Sequence, residues 1–344
     1  MTDVRPIRVL VVDDSAFARK VIREVLDGQD GVEVVGTARD GLDALEKIAE
    51  LAPDVVTLDL VMPNLDGVGV LRALADLAKR PAVVIVSMTD EDSELGVTAL
   101  QNGAFDIVKK PTALATAQLY DLGRELRAKV VDAARRPWPR VLPVVRPQMD
   151  APLVAKRTSL LVVGASTGGP QALTLLLRSL PGTFPVPIAI VLHMPEGYTE
   201  AFARRVDGES DLEVMEAREG LALKPGRAIV ARAGLHLVLE ADGDGWVSRL
   251  VSSPKTTPHR PAVDVLFRSA AAVAGGGALG VVLTGMGDDG LAGARAIREV
   301  GGRVLTEAES SCVVYGMPRA VFDAGQSSGV AAIESMPGLI LQNL

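Results

Sequence analysis

Short apolar runs alternate with amphipathic stretches in the first part of the chain. The apolar runs are IRVLVV, VEVVGTA, DVVTLDL, AVVIVS and DIVKKP. Apolar residues at helical spacing follow each run, over 16–26, 42–51, 68–77, 95–102 and 117–131. This repeated order of strand and helix predicts an α/β domain in which helices cover both faces of a five-stranded parallel sheet.

The second part of the chain predicts another α/β domain, with a less regular pattern. The runs SLLVVGAS, PIAIVLHM, RAIVAR, GALGVVLTGM and GRVLTEA predict strands of a doubly wound sheet. The alternating runs LHLVLE and WVSRLV lie between Leu235 and Val251 and are separated by ADGDG. They predict a small antiparallel excursion from that sheet.

A proline-rich segment separates the two patterns. Neither a packed helix nor a central strand tolerates repeated prolines, because each removes an amide donor and fixes φ. We therefore predict a first domain over 1–130, a Pro/Arg-rich linker over 131–156 and a second domain over 157–344. The prolines that define the linker are Pro137, Pro139, Pro143, Pro147 and Pro152.

The composition narrows the classes of function. The 344 residues suffice for two domains, and the hydrophobic content of 48% indicates a globular chain. No apolar run approaches the ~20 residues of a membrane span, so we expect a cytoplasmic protein without membrane insertion. The single cysteine, Cys312, excludes an intrachain disulfide, and the net charge of −7 argues against general nucleic-acid binding.

Acidic side chains end two strands of the first domain. Asp13 and Asp14 follow the first strand, and Asp59 follows the third. The carboxyl ends of parallel strands share one edge of a sheet, so these carboxylates should gather there, and Mg²⁺ would relieve their mutual repulsion. Ser87 and Lys110 end the fourth and fifth strands, where they would contact a phosphoryl group on Asp59.

The segments VVDDS, LDLVMPNLDG, VSMTD and KKP, in this order and spacing, resemble a two-component receiver domain over residues 6–130. The resemblance implies a flavodoxin-like fold and a histidine kinase as the phosphodonor. It also implies functional residues: the phosphoacceptor Asp59, the Mg²⁺ ligands Asp13 and Asp14 together with Asp59, the phosphate contacts Ser87 and Lys110, and Phe105 as the aromatic side chain that changes rotamer.

A glycine-rich turn, GASTGG, follows the first strand of the second domain. Ser166 lies in this turn, between the run Leu160 to Val163 and a helical pattern that opens at Pro170. A hydroxyl there is lifted clear of the sheet, beside helix N–H groups that could stabilise an oxyanion. The alternative is a phosphate cradle in a non-catalytic nucleotide-binding or signalling output domain. That alternative calls for an acidic residue at the end of the next strand, where the sequence has His193.

A serine nucleophile needs a base within hydrogen-bonding distance. His193 ends a strand on the edge that carries Ser166. His236 alternates inside a strand, where a local partner is expected, and His259 lies in the loop TTPHRP, either at the surface or facing substrate. The predicted geometry favours His193 as the base and does not exclude His236 or His259 from that role.

The base in turn needs an acid that orients it. Asp288 and Asp289 lie in the turn GMGDDG at the end of another predicted strand, where one of them could serve only as a helix cap. The chain order of serine, histidine and aspartate differs from the serine, aspartate, histidine order of ordinary α/β-hydrolases. We therefore do not expect that fold.

The second domain resembles the catalytic domain of chemotaxis protein-glutamate methylesterases, from about Leu160 to the C-terminal region. The segments VVGASTGGP, LHMPEGYTEAFARR, HRPAVDVLFRSAA, LTGMGDDGLAGARAI and ESSCVVYGMP carry this resemblance. It implies a triad of nucleophile, base and acid with an oxyanion site formed through backbone groups. The corresponding residues are Ser166, His193 and Asp289 for the triad, and Thr167 and Met286 for the oxyanion site.

The family resemblance implies a phosphorylation-activated hydrolase of γ-glutamyl methyl esters on chemoreceptors. The same machinery can attack a primary amide, so glutamine deamidation is an implied second activity. The resemblance implies Mg²⁺ in the receiver and no cofactor for the esterase. This chain has Asp288 where the family commonly has asparagine, which leaves open whether Asp288 shares the role of Asp289.

Overall fold

The computed structural model describes residues 5–77, 79–88, 93–110, 116–135 and 157–344, with the backbone alone for 116–121. The chain divides into two compact units, Met1–Val141 and Leu142–Leu344. Each unit contains its own parallel sheet.

The first unit contains a five-stranded parallel sheet with the order β2-β1-β3-β4-β5. This order confirms the predicted flavodoxin-like fold, and the predicted strands and helices are all present. The strands are β1 (Ile7–Val12), β2 (Val32–Ala38), β3 (Val55–Leu58), β4 (Ala82–Ser87) and β5 (Asp106–Lys109). The helices are α1 (Ala16–Leu26), α2 (Gly41–Leu51), α3 (Gly67–Ala75), α4 (Ser93–Gln101) and α5 (Thr116–Ala134).

Polar side chains fix where three of these helices begin. Ser15, Asp40 and Asp66 are the N-cap residues of α1, α2 and α3, and each side chain accepts a backbone N–H from the first turn. These caps satisfy N–H groups that have no partner within the helix. The turns that follow β1, β2 and β3 are thereby held in place at the carboxyl edge of the sheet.

Helix α5 continues past the boundary predicted for the first domain. It ends at Ala134 rather than near 130, so the first residues of the predicted linker are helical. Ala133 is buried, which gives this last turn a packing contact that a proline count does not detect. The rest of the predicted linker, 136–156, lies outside the described residues.

The second unit contains a seven-stranded parallel sheet with the order β14-β13-β12-β6-β7-β9-β8, together with the predicted antiparallel hairpin β10-β11. The strands are β6 (Leu160–Ala165), β7 (Ile188–Leu192), β8 (Glu213–Glu216), β9 (Arg227–Val230), β10 (His236–Asp242), β11 (Gly245–Val251), β12 (Ala278–Val282), β13 (Arg303–Glu307) and β14 (Gly329–Ala331). The helices are α6 (Gly169–Ser179), α7 (Tyr198–Asp207), α8 (Val263–Ala274), α9 (Leu291–Glu299), α10 (Met317–Asp323) and α11 (Met336–Gln342).

The central strands bring the predicted site residues to one edge of the sheet. Strand β6 lies between β7 and β12, and all three are buried along their length. Ala165 pairs with Leu192, so the residues that follow these two strands, Ser166 and His193, are neighbours. Within the described residues, no helix is long and apolar enough to cross a membrane.

Candidate active site and phosphoacceptor pocket

The carboxylates predicted in the first unit meet at the carboxyl edge of its sheet. Ligand oxygens of Asp13, Asp14 and Asp59 all lie within 4.8 Å of one another. Asp13 and Asp59 are buried, whereas Asp14 is exposed. Lys110 Nζ lies 2.6 Å from Asp13 Oδ2 and 2.8 Å from Asp59 Oδ2.

Burial raises the pKa of Asp59 to about 6. The Lys110 ammonium and a hydrogen bond from the Leu60 N–H act in the opposite direction, and the charge of Asp13 adds to the increase. For Asp59, burial therefore outweighs the stabilisation that Lys110 gives the charged form of the carboxyl group. A hard divalent cation held by the oxygens of the three aspartates would stabilise that charged form further, and the donor set fits Mg²⁺.

The two predicted phosphate contacts lie on neighbouring strands of this edge. Ser87 is fully buried at the end of β4, and its carbonyl accepts the Lys110 N–H at 2.7 Å. Lys110 is also buried. The predicted switch residue Phe105 is buried just before β5, and its N–H donates to Val83 O at 2.7 Å.

Ser166 occupies a tight turn between β6 and α6. Its carbonyl accepts the Gly169 N–H at 2.6 Å, and its own N–H donates to Thr284 O at 3.0 Å. Gly168 has a φ of +78°, in the left-handed region that favours glycine. A Cβ at Gly285 would lie 2.8 Å from Ser166 Cβ, so only glycine admits this close approach of the segment after β12.

His193 follows β7 directly beside this turn. Its N–H donates to Ala165 O at 3.0 Å, which holds the backbones of Ser166 and His193 side by side. The ring nitrogen Nε2 lies 2.9 Å from Asp289 Oδ2. The other ring nitrogen, Nδ1, is buried and has no hydrogen-bond partner among the described residues. With the proton on Nε2, the Nδ1 lone pair is available to accept a proton from the serine hydroxyl.

Asp289 accepts three hydrogen bonds. Its Oδ2 accepts from His193 and from the Val263 N–H at 2.7 Å, while Oδ1 accepts the Asp264 N–H at 2.9 Å. Burial acts to raise the pKa of Asp289, but these donors outweigh it, so the pKa lies below the usual value. Asp289 therefore stays ionised at neutral pH. Asp288 is exposed, and its side chain forms no hydrogen bond or ion pair with the described residues.

Two aspartates hold each other's helices in place. Asp289, which precedes α9, accepts the first N–H groups of α8. Asp264, in the first turn of α8, accepts the N–H groups of Gly290 and Gly293 at 2.9 and 2.7 Å, at the start of α9. Asp264 was not identified from the sequence. Its reciprocal contact fixes the carboxylate that faces His193.

The other two histidines have different roles. His236 is fully buried: its Nε2 donates to Pro254 O at 2.9 Å, and its Nδ1 accepts the Ala262 N–H at 3.2 Å. It is therefore a structural residue with local partners, as its position in a strand indicates. His259 is exposed and stacks on His193 with ring centroids 4.1 Å apart and planes at 23°. This stack covers one face of the His193 ring.

The two predicted oxyanion residues lie in the two segments that meet at Ser166. Thr167 follows it in the turn and is buried, and its carbonyl accepts the Thr284 hydroxyl at 2.9 Å. Met286 is partly buried and follows Gly285, the residue that closely approaches Ser166. The structure thus places Thr167 in the Ser166 turn and Met286 next to the glycine that approaches it, and their role in an oxyanion site stays a prediction.

Two family models match the chain. One, described as CheB methylesterase, matches residues 161–340. The other, described as response regulator receiver domain, matches residues 9–120. These ranges coincide with the unit that carries Ser166, His193 and Asp289 and with the unit that carries the acidic pocket.

Curated proteins and a solved structure agree with these models. "Protein-glutamate methylesterase/protein-glutamine glutaminase 5" of Myxococcus xanthus is 60% identical, over 100% of both chains. "Protein-glutamate methylesterase/protein-glutamine glutaminase" of Thermotoga maritima is 39% identical over 99% of each chain. The crystal structure of the Thermotoga maritima CheB methylesterase catalytic domain is 38% identical, with a TM-score of 0.53, and covers 54% of this chain and 99% of that one. The chain belongs to the CheB methylesterase family, with a response-regulator receiver domain in its N-terminal part.

Proposed function

We propose that the catalytic unit hydrolyses γ-glutamyl methyl esters of receptor proteins with Ser166 as nucleophile, His193 as base and Asp289 as the acid that orients the base. One observation carries this assignment. His193, at a strand end adjacent to that of Ser166, directs Nε2 to an ionised carboxylate, and its buried Nδ1 has no hydrogen-bond partner in the described part of the chain. The alternative of a nucleotide-binding output domain leaves this arrangement unexplained.

Each residue has a defined role in the proposed reaction. Nδ1 of His193 accepts the proton as Ser166 Oγ attacks the ester carbonyl, and Asp289 stabilises the imidazolium that forms. His193 then protonates the departing methoxide, which leaves as methanol. Water attacks the acyl-enzyme with His193 again as base, which restores the serine and releases the glutamate carboxylate.

Backbone groups supply the electrostatic stabilisation. We assign the oxyanion site to N–H groups around Thr167 and Met286, where one donor typically contributes about 2.7–4 kcal/mol of transition-state stabilisation. A glutamine side chain presents the same carbonyl with ammonia as the leaving group. Glutamine deamidation is therefore a second activity of the same site, in accord with the names of the relatives.

The receiver unit regulates this activity through Asp59. Its carboxylate accepts a phosphoryl group from a histidine kinase, and Lys110 and Ser87 contact the added oxygens. Asp13, Asp14 and Asp59 would hold Mg²⁺, which, when bound, neutralises phosphate charge during transfer. Asp59 phosphorylation raises the esterase rate, and Phe105 changes rotamer with it.

The proposed organisation has a receiver, a linker and a catalytic domain, with the linker beginning after α5 and the catalytic domain near 157. The substrates are methylated chemoreceptors, and the receiver-coupled enzyme acts on their cytoplasmic side. Activity that is unchanged by a small-molecule phosphodonor in the full chain, and equal in Asp59→Asn, would count against this regulation.

Covalent labelling tests the catalytic assignment. A fluorophosphonate should modify the full-length chain at Ser166, as located by peptide mass spectrometry, and should leave Ser166→Ala unmodified. Prior heat unfolding should abolish the labelling, because the reaction needs the folded triad. Equal labelling of Ser166→Ala would place the reactive hydroxyl elsewhere and overturn the assignment.

A further inference from the structure

Glu307 is a buried carboxyl group that the proposed reaction does not use. It ends β13, next to β12, and only 1% of its surface is exposed. Its Oε2 accepts the Thr284 N–H at 2.8 Å, and its Oε1 accepts the Ser311 hydroxyl at 2.8 Å. Among the described residues, no lysine or arginine forms an ion pair with it.

Burial of the Glu307 carboxyl group costs free energy of folding. Burial raises the pKa of Glu307 to about 7, against the opposing effect of the Thr284 N–H and the Ser311 hydroxyl. A glutamate held without a cation does little for the free energy of folding, because desolvation offsets its hydrogen bonds. Its contacts point to a role in the neighbouring site.

Thr284 connects Glu307 to the nucleophile. The Thr284 carbonyl accepts the Ser166 N–H at 3.0 Å, and its hydroxyl donates to Thr167 O at 2.9 Å. Thr284 is itself buried. One residue therefore holds both Ser166 and Thr167, and its own N–H is held by Glu307.

The other carboxylate oxygen of Glu307, Oε1, contacts the segment 311–314, which packs beside the Ser166 turn. Ser311 begins this segment, and its Oγ accepts the Ile333 N–H at 2.9 Å. Further along, Val314 donates its N–H to the Thr284 hydroxyl at 2.9 Å and accepts the Gly285 N–H at 3.0 Å. Gly285 is the residue that closely approaches Ser166.

We propose that Glu307 is a positioning residue for the esterase: it fixes the segments 284–286 and 311–314 against the Ser166 turn and so sets the nucleophile relative to its oxyanion donors. The inference rests on Ser166 being the nucleophile. Glu307 acts through hydrogen-bond geometry and makes no contact with substrate. It therefore affects kcat rather than substrate affinity.

Two substitutions separate geometry from charge. Glu307→Gln has the same shape: its oxygen can accept the Thr284 N–H, and its amide can donate to the Ser311 hydroxyl. Glu307→Ala removes both contacts and leaves a buried N–H without a partner. Glu309→Ala changes an exposed glutamate two residues away and is the matched control.

The test measures kcat and KM for methanol release from methylated receptor by the full-length variants, with thermal unfolding in parallel. A misplacement of about 1 Å costs roughly 10²-fold in rate, so Glu307→Ala should lose about that much kcat with KM within about threefold. Glu307→Gln and Glu309→Ala should stay within about threefold of the parent. A folded Glu307→Ala with parental kcat would overturn the proposal.

A further variant covers the case in which Glu307→Ala fails to fold. Ser311→Ala removes the Oε1 contact and the acceptor of the Ile333 N–H but keeps the contact of Oε2 with Thr284. We expect a kcat lowered about tenfold with KM unchanged. Parental kcat in Ser311→Ala, or a folded Glu307→Gln that loses activity as Ser166→Ala does, would also contradict the role. Failure of the proposed function looks different: Ser166→Ala would then release methanol as the parent does, whatever the Glu307 variants show.

Discussion

Replacement of Asp289 by asparagine tests which acid orients the base. The carboxylate accepts from His193, Val263 and Asp264, and the amide of an asparagine cannot accept from all three donors. Either the His193 Nε2–H or a helix N–H then faces an NH₂ group. The charge that stabilises the imidazolium is lost in both orientations.

The size of the effect follows from the geometry. At the 2.9 Å separation of His193 Nε2 and Asp289 Oδ2, an effective dielectric constant of about 20 gives a charge interaction of about 6 kcal/mol. This corresponds to about four powers of ten in rate, similar to the roughly 10⁴-fold loss when a triad aspartate becomes asparagine in a serine protease. We expect kcat of Asp289→Asn to fall by about 10³- to 10⁴-fold.

Asp288→Asn is the matched control, because this side chain is exposed and forms no hydrogen bond or ion pair with the described residues. Its kcat should stay within about twofold of the parent, since a surface change of this kind has little effect. The assay is methanol release from methylated receptor membranes, with thermal unfolding to verify that both variants are folded. The assignment of Asp289 as the orienting acid would be refuted if Asp289→Asn kept more than about a tenth of the parental kcat. It would also be refuted if Asp288→Asn lost as much kcat as Asp289→Asn.

Three further predictions concern the supports of the two sites. Asp264→Asn should keep its activity in methanol release, because asparagine caps a helix as well as aspartate does. Asp264→Ala should lose about 1 kcal/mol of stability, and its kcat should fall about tenfold. Equal activities of the two variants would contradict the role of Asp264 in holding Asp289. Thr57→Val should raise the free energy of unfolding, measured in urea, by about 1 kcal/mol, because the fully buried Thr57 hydroxyl has no hydrogen-bond partner among the described residues. A loss of stability would show that this hydroxyl forms a hydrogen bond in the folded protein. Asp59→Asn should stabilise the receiver unit by up to about 3 kcal/mol at pH 8, because the folded pKa of about 6 exceeds the usual 3.8 and penalises the ionised form. That penalty is complete above about pH 6 and absent below about 3.8. Hydrogen exchange in β1–β5 should therefore show that the extra stability of Asp59→Asn decreases as the pH falls through about 6. A stability difference that does not change with pH would exclude the Asp59 titration as its cause.

Patterns local in the sequence predicted most of the fold. Apolar runs located the central strands because a buried parallel strand is apolar along its whole length. The short edge strands β8 and β14 were not identified. Val214 is buried in EVME, but its neighbours are polar or only partly buried, and β14 has three residues with Val330 exposed. An edge strand is defined by its pairing partner more than by its own composition.

The residue types of the candidate active site could be predicted because the carboxyl ends of parallel strands lie at one edge of the sheet. The sequence left Asp288 and Asp289 as alternatives. In the structure it is Asp289 that accepts backbone N–H groups at the start of α8. One of them is the N–H of Asp264, which lies 25 residues earlier in the chain. Glu307 gave no signal, because a glutamate after an apolar strand is typical of an exposed strand end. Contacts of this kind arise only from tertiary structure.

The most direct test of the central claim is methanol release from methylated receptor by full-length Ser166→Ala, beside the exposed-site control Ser310→Ala. We expect Ser166→Ala to lose at least about 10⁴-fold in kcat and to unfold at the same temperature as the parent. Ser310→Ala should match the parent. Methanol release by folded Ser166→Ala at the parental rate would contradict the assignment of Ser166 as the nucleophile.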